Sequence, residues 1–158
     1  MEFRRIGIVG LGGLEIAAAC ARAGLDVLLV QESEAGCAEA ARLIGGMLDA
    51  TSLARVRHAV DAGSLATSDI VIEAASSDDI LRRDKLRALG RLIRPDAVLA
   101  SLNAGAGLEE IAPNLRRPAR VLGIDAALTP APTSLTAPEA VDVVWALAMR
   151  LMPASPGA

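Results

Sequence analysis

Residues 5–32 read RIGIVGLGGLEIAAACARAGLDVLLVQE, an apolar strand, a glycine-rich turn, a small-residue helix and a second apolar strand. Ile6 to Val9 and Val27 to Val30 are short apolar runs, and the helical stretch Leu14 to Ala23 between them is closed by Gly24, which predicts a βαβ unit with a short crossover. Glycines directly after a first strand let backbone amides approach a phosphate at a helix N-terminus, the opening of a nucleotide-binding α/β domain. Two residues break the pattern. Glu15 stands at the spacing of the third glycine of a G-x-G-x-x-G loop, and Gln31 stands where the second strand usually delivers a ribose-binding acid.

Working outward, Ser33 to Leu48 repeats apolar residues at Cys37, Ala40, Ala41, Ile44, Met47 and Leu48, the spacing of one helix face. A second short helix is expected over Leu53 to Ala62. Three further apolar runs, Ile70 to Glu73, Val98 to Ser101 and Val121 to Ile124, alternate with helical patterns at Asp79 to Ile93 and Leu108 to Ala112. That alternation predicts an α/β fold, a Rossmann-type doubly wound parallel sheet of about five strands in a single domain over residues 1–152. Thr129 to Pro138, TPAPTSLTAP, is a proline-rich connection. Pro138 then opens a last helix with Val141, Val144, Trp145, Ala148 and Leu151 or Met152 on one face, and residues 153–158 are expected to form a flexible C-terminal tail.

Composition narrows the function classes. The 158 residues carry a net charge of -3, and their 16 basic side chains are 15 arginines scattered along the chain and the single Lys85. No nucleic-acid face is expected, and with Phe3 and Trp145 as the only aromatics there are no base-stacking platforms. Cys20 and Cys37 lie 17 positions apart on helical patterns, a spacing of neither a redox pair nor a metal knuckle, so both are expected reduced and buried, and no metal site is expected. Glu15 interrupts the N-terminal apolar run, which therefore reads as structure rather than a leader, and no run reaches membrane-spanning length. A soluble cytoplasmic protein is the expectation.

With these elements placed, the chain resembles the N-terminal NAD-binding domain of the 3-hydroxyacyl-CoA dehydrogenases. The resemblance rests on IGIVGLG (6–12), ARAGLDVLLV (21–30), SDIVIEA (68–74), RPDAVLAS (94–101), RPARVLGI (117–124) and PEAVDVVWALAMRL (138–151). It implies NAD as coenzyme, oxidoreductase ancestry, and cofactor contacts at Gly10, Gly12, Gly13, Gln31, Glu32 and Ala74. Because Glu32 would repel a 2′-phosphate, NAD is expected rather than NADP.

The same resemblance marks departures. Gly10 to Gly24 is two residues shorter than in the family, about 3 Å of helix. A Glu15 carboxylate facing the loop, about 5 Å from a phosphate at an effective dielectric near 20, would cost roughly 3 kcal/mol. Facing solvent, it would contribute about 0.3 to 1 kcal/mol to the helix start. Sequence leaves both places open. After the fourth expected strand Ser101 is kept, whereas Leu102 takes the family's asparagine position, Ala104 and Gly105 replace its serines, and Asn103 restores an amide nearby. Asp125 stands in place of the family's catalytic histidine, and an aspartate near pKa 3.9 is a weaker base than imidazole near 6.5. The strand carrying the glutamate that orients that histidine is expected to be deleted between Pro132 and Pro138, and the family's C-terminal helical domain is not matched.

Several residues have plainer readings. Glu73, a glutamate in the family too, would tie neighbouring loops; Ser76, Ser77, Asp78 and Asp79 would cap a helix; Arg82, Arg83, Lys85 and Arg87 would form a solvated helix face; and His58, the only histidine, would sit on the surface of the Leu53 to Ala62 helix. Three functions remain. The first is a degenerate NAD-binding domain, with weak or absent coenzyme binding, acting as a subunit or regulatory module. The second is a cofactor-independent isomerase, cyclase or lyase on an acyl or polyketide-like substrate, using Asp125, Asn103 and Ser101. The third is a structural homodimer pairing through an edge strand left exposed by the missing sixth strand. Self-association or a partner subunit is expected in each, with no nucleic acid and no membrane.

Overall fold

Alternating apolar residues on the central strands build two hydrophobic layers, one on each face of a sheet. A computed structural model of the chain describes residues 2–75, 78–105 and 107–153. Its strands are β1 (Arg5–Val9), β2 (Asp26–Val30), β3 (Val56–Ala59), β4 (Ile70–Glu73), β5 (Val98–Leu102), β6 (Val121–Ile124) and β7 (Pro130–Pro132). Its helices are α1 (Leu14–Arg22), α2 (Glu34–Gly45), α3 (Ala50–Leu53), α4 (Asp79–Leu92), α5 (Gly107–Ile111) and α6 (Pro138–Leu151). The strands form one sheet in the order β3-β2-β1-β4-β5-β6-β7, parallel except for β7. Ile6, Ile8, Ile70 and Ile72 face a core shared with α1, α2 and α6, while Val71 and Leu99 face a second core under α4 and α5. Buried Ala17, Ala18, Cys20 and Ala21 let α1 lie close on the sheet. Both cysteines are free and buried, and burial pushes the Cys20 thiol up to about 12.

The helix boundaries follow from local chemistry. Gly24 has φ +86° and ends α1 in the left-handed conformation. Ser33 caps α2, its Oγ accepting from the Gly36 amide at 3.0 Å, and Asp78 caps α4 by accepting from Leu81 at 2.9 Å. Ser76, Ser77 and residues 154–158 of the tail expected over 153–158 lie outside the described residues. No helix among the described residues is long and apolar enough to cross a membrane.

Three expectations are corrected. The Leu53 to Ala62 segment is not a helix: α3 ends at Leu53, and residues 56–59 add to the sheet as β3 with Val27 opposite Val56. Leu53, Val56 and Ala59 carry a helical spacing, but β2 offers an unpaired edge, and strand pairing wins over a four-residue pattern. The far edge is not left open either, although no strand lies between Pro132 and Pro138. The sheet has seven strands rather than about five, because β3 adds on one side and Pro130–Pro132 turns back antiparallel along β6 on the other, Ile124 opposite Pro130. The outer edge is thus a three-residue strand with two prolines, which blunts the strand-addition surface that the structural-homodimer reading required. Finally, α6 buries Ala140, Val144 and Leu147, leaving Trp145 48% exposed. The rest of the expected face holds, with Val141, Ala148 and Leu151 packed against the same core as Val144, so the buried stripe is shifted by part of a turn rather than chosen anew.

His58 is consequently on edge strand β3 and half-buried, with its Nδ1 enclosed and without a hydrogen-bond partner. Burial lowers its pKa. Between the unfolded value, about 6.5, and the lower folded one, the unfolded chain binds more protons than the folded chain. Stability contributed by the neutral ring is therefore complete above that unfolded value and lost as pH falls through the folded pKa. Melting followed by circular dichroism is expected to show a temperature that declines as pH drops from about 7 to 5.5, and His58→Gln should flatten that decline. An identical slope in the variant would assign the loss to other groups.

Candidate functional site

In an open parallel sheet a ligand crevice forms at the carboxyl ends of two adjacent strands whose connections run in opposite directions. Here those strands are β1, which leads to β2 and β3, and β4, which leads to β5 and β6. A cleft of about 350 Å³ opens there, walled by Gly10, Gly12, Gln31, Glu32, Ala74 and Lys85 among others. Gly10 has φ +96°, and its N–H donates to the Val30 carbonyl at 3.1 Å, pinning the turn to the end of β2. A Cβ on Gly12 would lie 2.5 Å from the Ala74 carbonyl oxygen, so the turn rests directly on the β4–α4 loop. Residues 11–13 form a single 3-10 turn that runs straight into α1, whose first amides have no intrahelical acceptor.

Gly13 does not line the cleft. It is buried beneath it, and a Cβ there would meet Ile8 Cγ2 at 2.5 Å, which is the close helix-to-strand packing required of a third loop glycine. The third glycine is therefore present. The two-residue shortening falls before it, and residue 15 is left on the first turn of α1. Glu15 is exposed and walls a separate shallow hollow with Ile16, Ala127, Leu128 and Ala148, outside the glycine cleft.

The β2 end of the cleft is held by three side chains. Gln31 is 7% exposed, packs its Cβ against Gly36 at the start of α2, and has a buried Nε2 with no hydrogen-bond partner. Glu32 accepts from the ammonium of Lys85, 53 positions away on α4. This hydrogen bond and the lysine's charge hold the Glu32 carboxyl below its ordinary pKa. Arg82, on the same helix, is not part of a solvated face. It is 5% exposed, with Nε 3.8 Å from Glu73 Oε2. Glu73, itself 1% exposed, also accepts from the Ser101 hydroxyl at 2.8 Å and the Ala75 amide at 3.1 Å. Carboxylate, guanidinium and hydroxyl thus fasten the β4–α4 loop and β5 behind the glycine turn. The i, i+3 spacing of Arg82 and Lys85 puts both on one face of α4, but nothing in the sequence marks that face as the one turned to the sheet.

The other candidate groups occupy the carboxyl edges of β5 and β6. Asn103 has φ +57°, and its N–H donates to the Ile124 carbonyl at 2.8 Å, which sets it beside Asp125. Ser101, drawn instead to Glu73 and fully buried, does not join them. Asp125 is exposed, and its Oδ1 accepts from the amides of Thr129 at 2.8 Å and Ala127 at 2.9 Å. The Thr129 amide above all, and that of Ala127, lower its pKa. These bonds hold the tight turn in which Leu128 takes φ +62°. A carboxylate that is ionised and committed to two backbone donors is a poor proton acceptor.

Comparison with known proteins places this geometry. The family model described as 3-hydroxyacyl-CoA dehydrogenase, NAD binding domain, matches residues 5–133. A 3-hydroxybutyryl-CoA dehydrogenase of Mycobacterium tuberculosis is 31% identical over 137 residues, 77% of this chain and 48% of that protein. A fatty acid oxidation complex subunit alpha of Psychrobacter arcticus is 28% identical over 138 residues, 78% of this chain and 19% of that protein. The crystal structure of (S)-3-hydroxybutyryl-CoA dehydrogenase from Ralstonia eutropha superposes with a TM-score of 0.88 at 25% identity, over 95% of this chain and 61% of that one. The chain spans about half or less of the length of these curated relatives.

Proposed function

The chain belongs to the family of 3-hydroxyacyl-CoA dehydrogenase NAD-binding domains, and on that premise we propose that it binds the dinucleotide without oxidising a hydroxyacyl thioester by itself, as a coenzyme-binding subunit or regulatory module. The coenzyme fits the residues present. Gly10 and Gly12 let the turn lie directly on the β4–α4 loop, where a Cβ would collide with Ala75 or Ala74, and Gln31 offers a buried polar atom in want of a partner. Backbone amides at the start of α1 would receive the diphosphate, Gln31 and Glu32 the adenosine ribose, and Ala74 the underside of the turn. When bound, NAD supplies a hydride acceptor.

On this reading, the candidate groups among the described residues at the β5 and β6 edges hold no free proton acceptor for a hydroxyl group. The observation that carries this reading is Asp125, standing where the resemblance places a histidine and engaged with the amides of Thr129 and Ala127. Ser101 is likewise spoken for by Glu73. A reducing cytoplasm suits the two free thiols of Cys20 and Cys37.

Thermal melting with NAD, paired with an absorbance assay for NADH formed from 3-hydroxybutyryl-CoA, tests both halves. NAD at about a hundred times its Kd should stabilise the fold by about 2.7 kcal/mol, a rise of roughly 5 to 10 °C for a domain of this size. No NADH should form. Turnover would refute the inactive half of the reading, and an unshifted melt at millimolar NAD would refute the binding half.

A further inference from the structure

Whether such a cleft takes NAD or its 2′-phosphorylated form is decided at the end of β2. An acid there accepts from the ribose 2′-hydroxyl and repels a phosphate in its place. In this chain the acid is gone. Gln31 occupies the position, an uncharged amide more than nine-tenths buried whose Nε2 is a donor without an acceptor, on the wall of the cleft. A phosphate presents several anionic oxygens to such a donor, where a hydroxyl presents a single neutral one.

The remaining acid, Glu32, would exclude a phosphate only while its carboxylate faced the ribose with no cation beside it, because a carboxylate turned out to water is screened. Glu32 has such a cation: Lys85 reaches it across the mouth of the cleft and cancels its charge. The Glu32 side chain is 82% exposed and the Lys85 side chain 24% exposed, so the carboxylate can turn out to water while the ammonium stays at the wall. The first turn of α2, capped by Ser33, ends at the same wall with Gly36 in it, and its dipole favours an anion.

We propose that the cleft accepts a dinucleotide carrying a 2′-phosphate, NADP, as well as NAD, with Lys85 as the phosphate's counter-ion and Gln31 Nε2 as a donor to it. This inference rests on the coenzyme-binding reading above and extends it to the choice of coenzyme. The exchange it requires is simple: the incoming phosphate takes Glu32's place on the lysine.

Calorimetric titration of the whole chain with NAD and with NADP provides the test, using Lys85→Met and Glu32→Gln beside the parent and circular dichroism to confirm that each variant is folded. In the parent the two dissociation constants should agree within about threefold, a small difference on the affinity scale. Lys85→Met should weaken NADP by about tenfold or more and NAD by less than about threefold. Glu32→Gln should tighten NADP by about tenfold while weakening NAD, whose ribose loses a carboxylate acceptor, so that the preference turns toward NADP. A parent preference for NAD of about a hundredfold would overturn the inference and leave coenzyme binding intact. So would Lys85→Met weakening both nucleotides alike, because the lysine would then merely hold the cleft together. Binding of neither nucleotide would overturn the coenzyme-binding reading and this one with it.

Discussion

Glu73→Ala is expected to lower the melting temperature by roughly 6 to 20 °C, from a loss of about 3 to 5 kcal/mol at about 2 to 4 °C per kcal/mol. The substitution removes the carboxylate that faces Arg82 Nε at 3.8 Å and accepts from the Ser101 hydroxyl and the Ala75 amide. Arg82 is 5% exposed, so its guanidinium loses the Glu73 carboxylate inside the protein, and removing one member is the costly way to break a buried ion pair. Removing both charges differs in kind. Glu73→Ala combined with Arg82→Leu should recover much of the loss, since apolar replacement of a whole buried pair is often near neutral. Calorimetric melts of the two singles and the double give the coupling directly. A shift under about 2 °C in Glu73→Ala would mean that Arg82 escapes to water and that the pair is weaker than its burial implies.

Gly10→Ala should be comparably damaging for a steric reason. The residue has φ +96°, a conformation costing a side chain about 1 to 3 kcal/mol. Its Cβ would also lie 2.5 Å from the Cβ and 2.6 Å from the Cα of Ala75. Ala75 cannot yield freely, because its amide is bound to Glu73 Oε1, so overpacking adds roughly another 1 to 3 kcal/mol. Whatever relaxation occurs moves the floor of the cleft, and coenzyme affinity should fall by at least about tenfold. Gly45→Ala is the control: at the end of α2, with nothing within 4 Å of a new Cβ, it should stabilise by about 0.4 to 1 kcal/mol. Urea unfolding of the pair reads both signs in one experiment. Equal behaviour of the two glycines would show that the turn is not held against the β4–α4 loop.

The elements that sequence revealed are those whose patterns are complete within a dozen residues. The β1, α1 and β2 elements show in their apolar runs and glycines, and the Ser33 and Asp78 caps lie one position before the helices they start. Glu73 was legible as a tie between loops. Arg82 was not, because nothing in RRDKLR says which of its basic residues turns inward; a carboxylate at the end of another strand decides that. Asp125 shows the same limit from the other side. Its place at the carboxyl edge of β6 followed from sequence, while its use as the anchor of a turn followed from where the amides of Ala127 and Thr129 come to rest.

The linear order of residues thus determined the α/β architecture, the glycine turn and the absence of an acid at the end of the second strand, since backbone conformation and hydrophobic period act over a few neighbours. Tertiary structure alone decided that Gly13 packs as a third glycine does, that Glu15 stands clear of the glycine cleft, that β3 and β7 complete the sheet, and that Lys85 pairs with Glu32. Each of these depends on groups brought together from distant segments. Burial and charge act through space, and no local pattern records which far partner will be near.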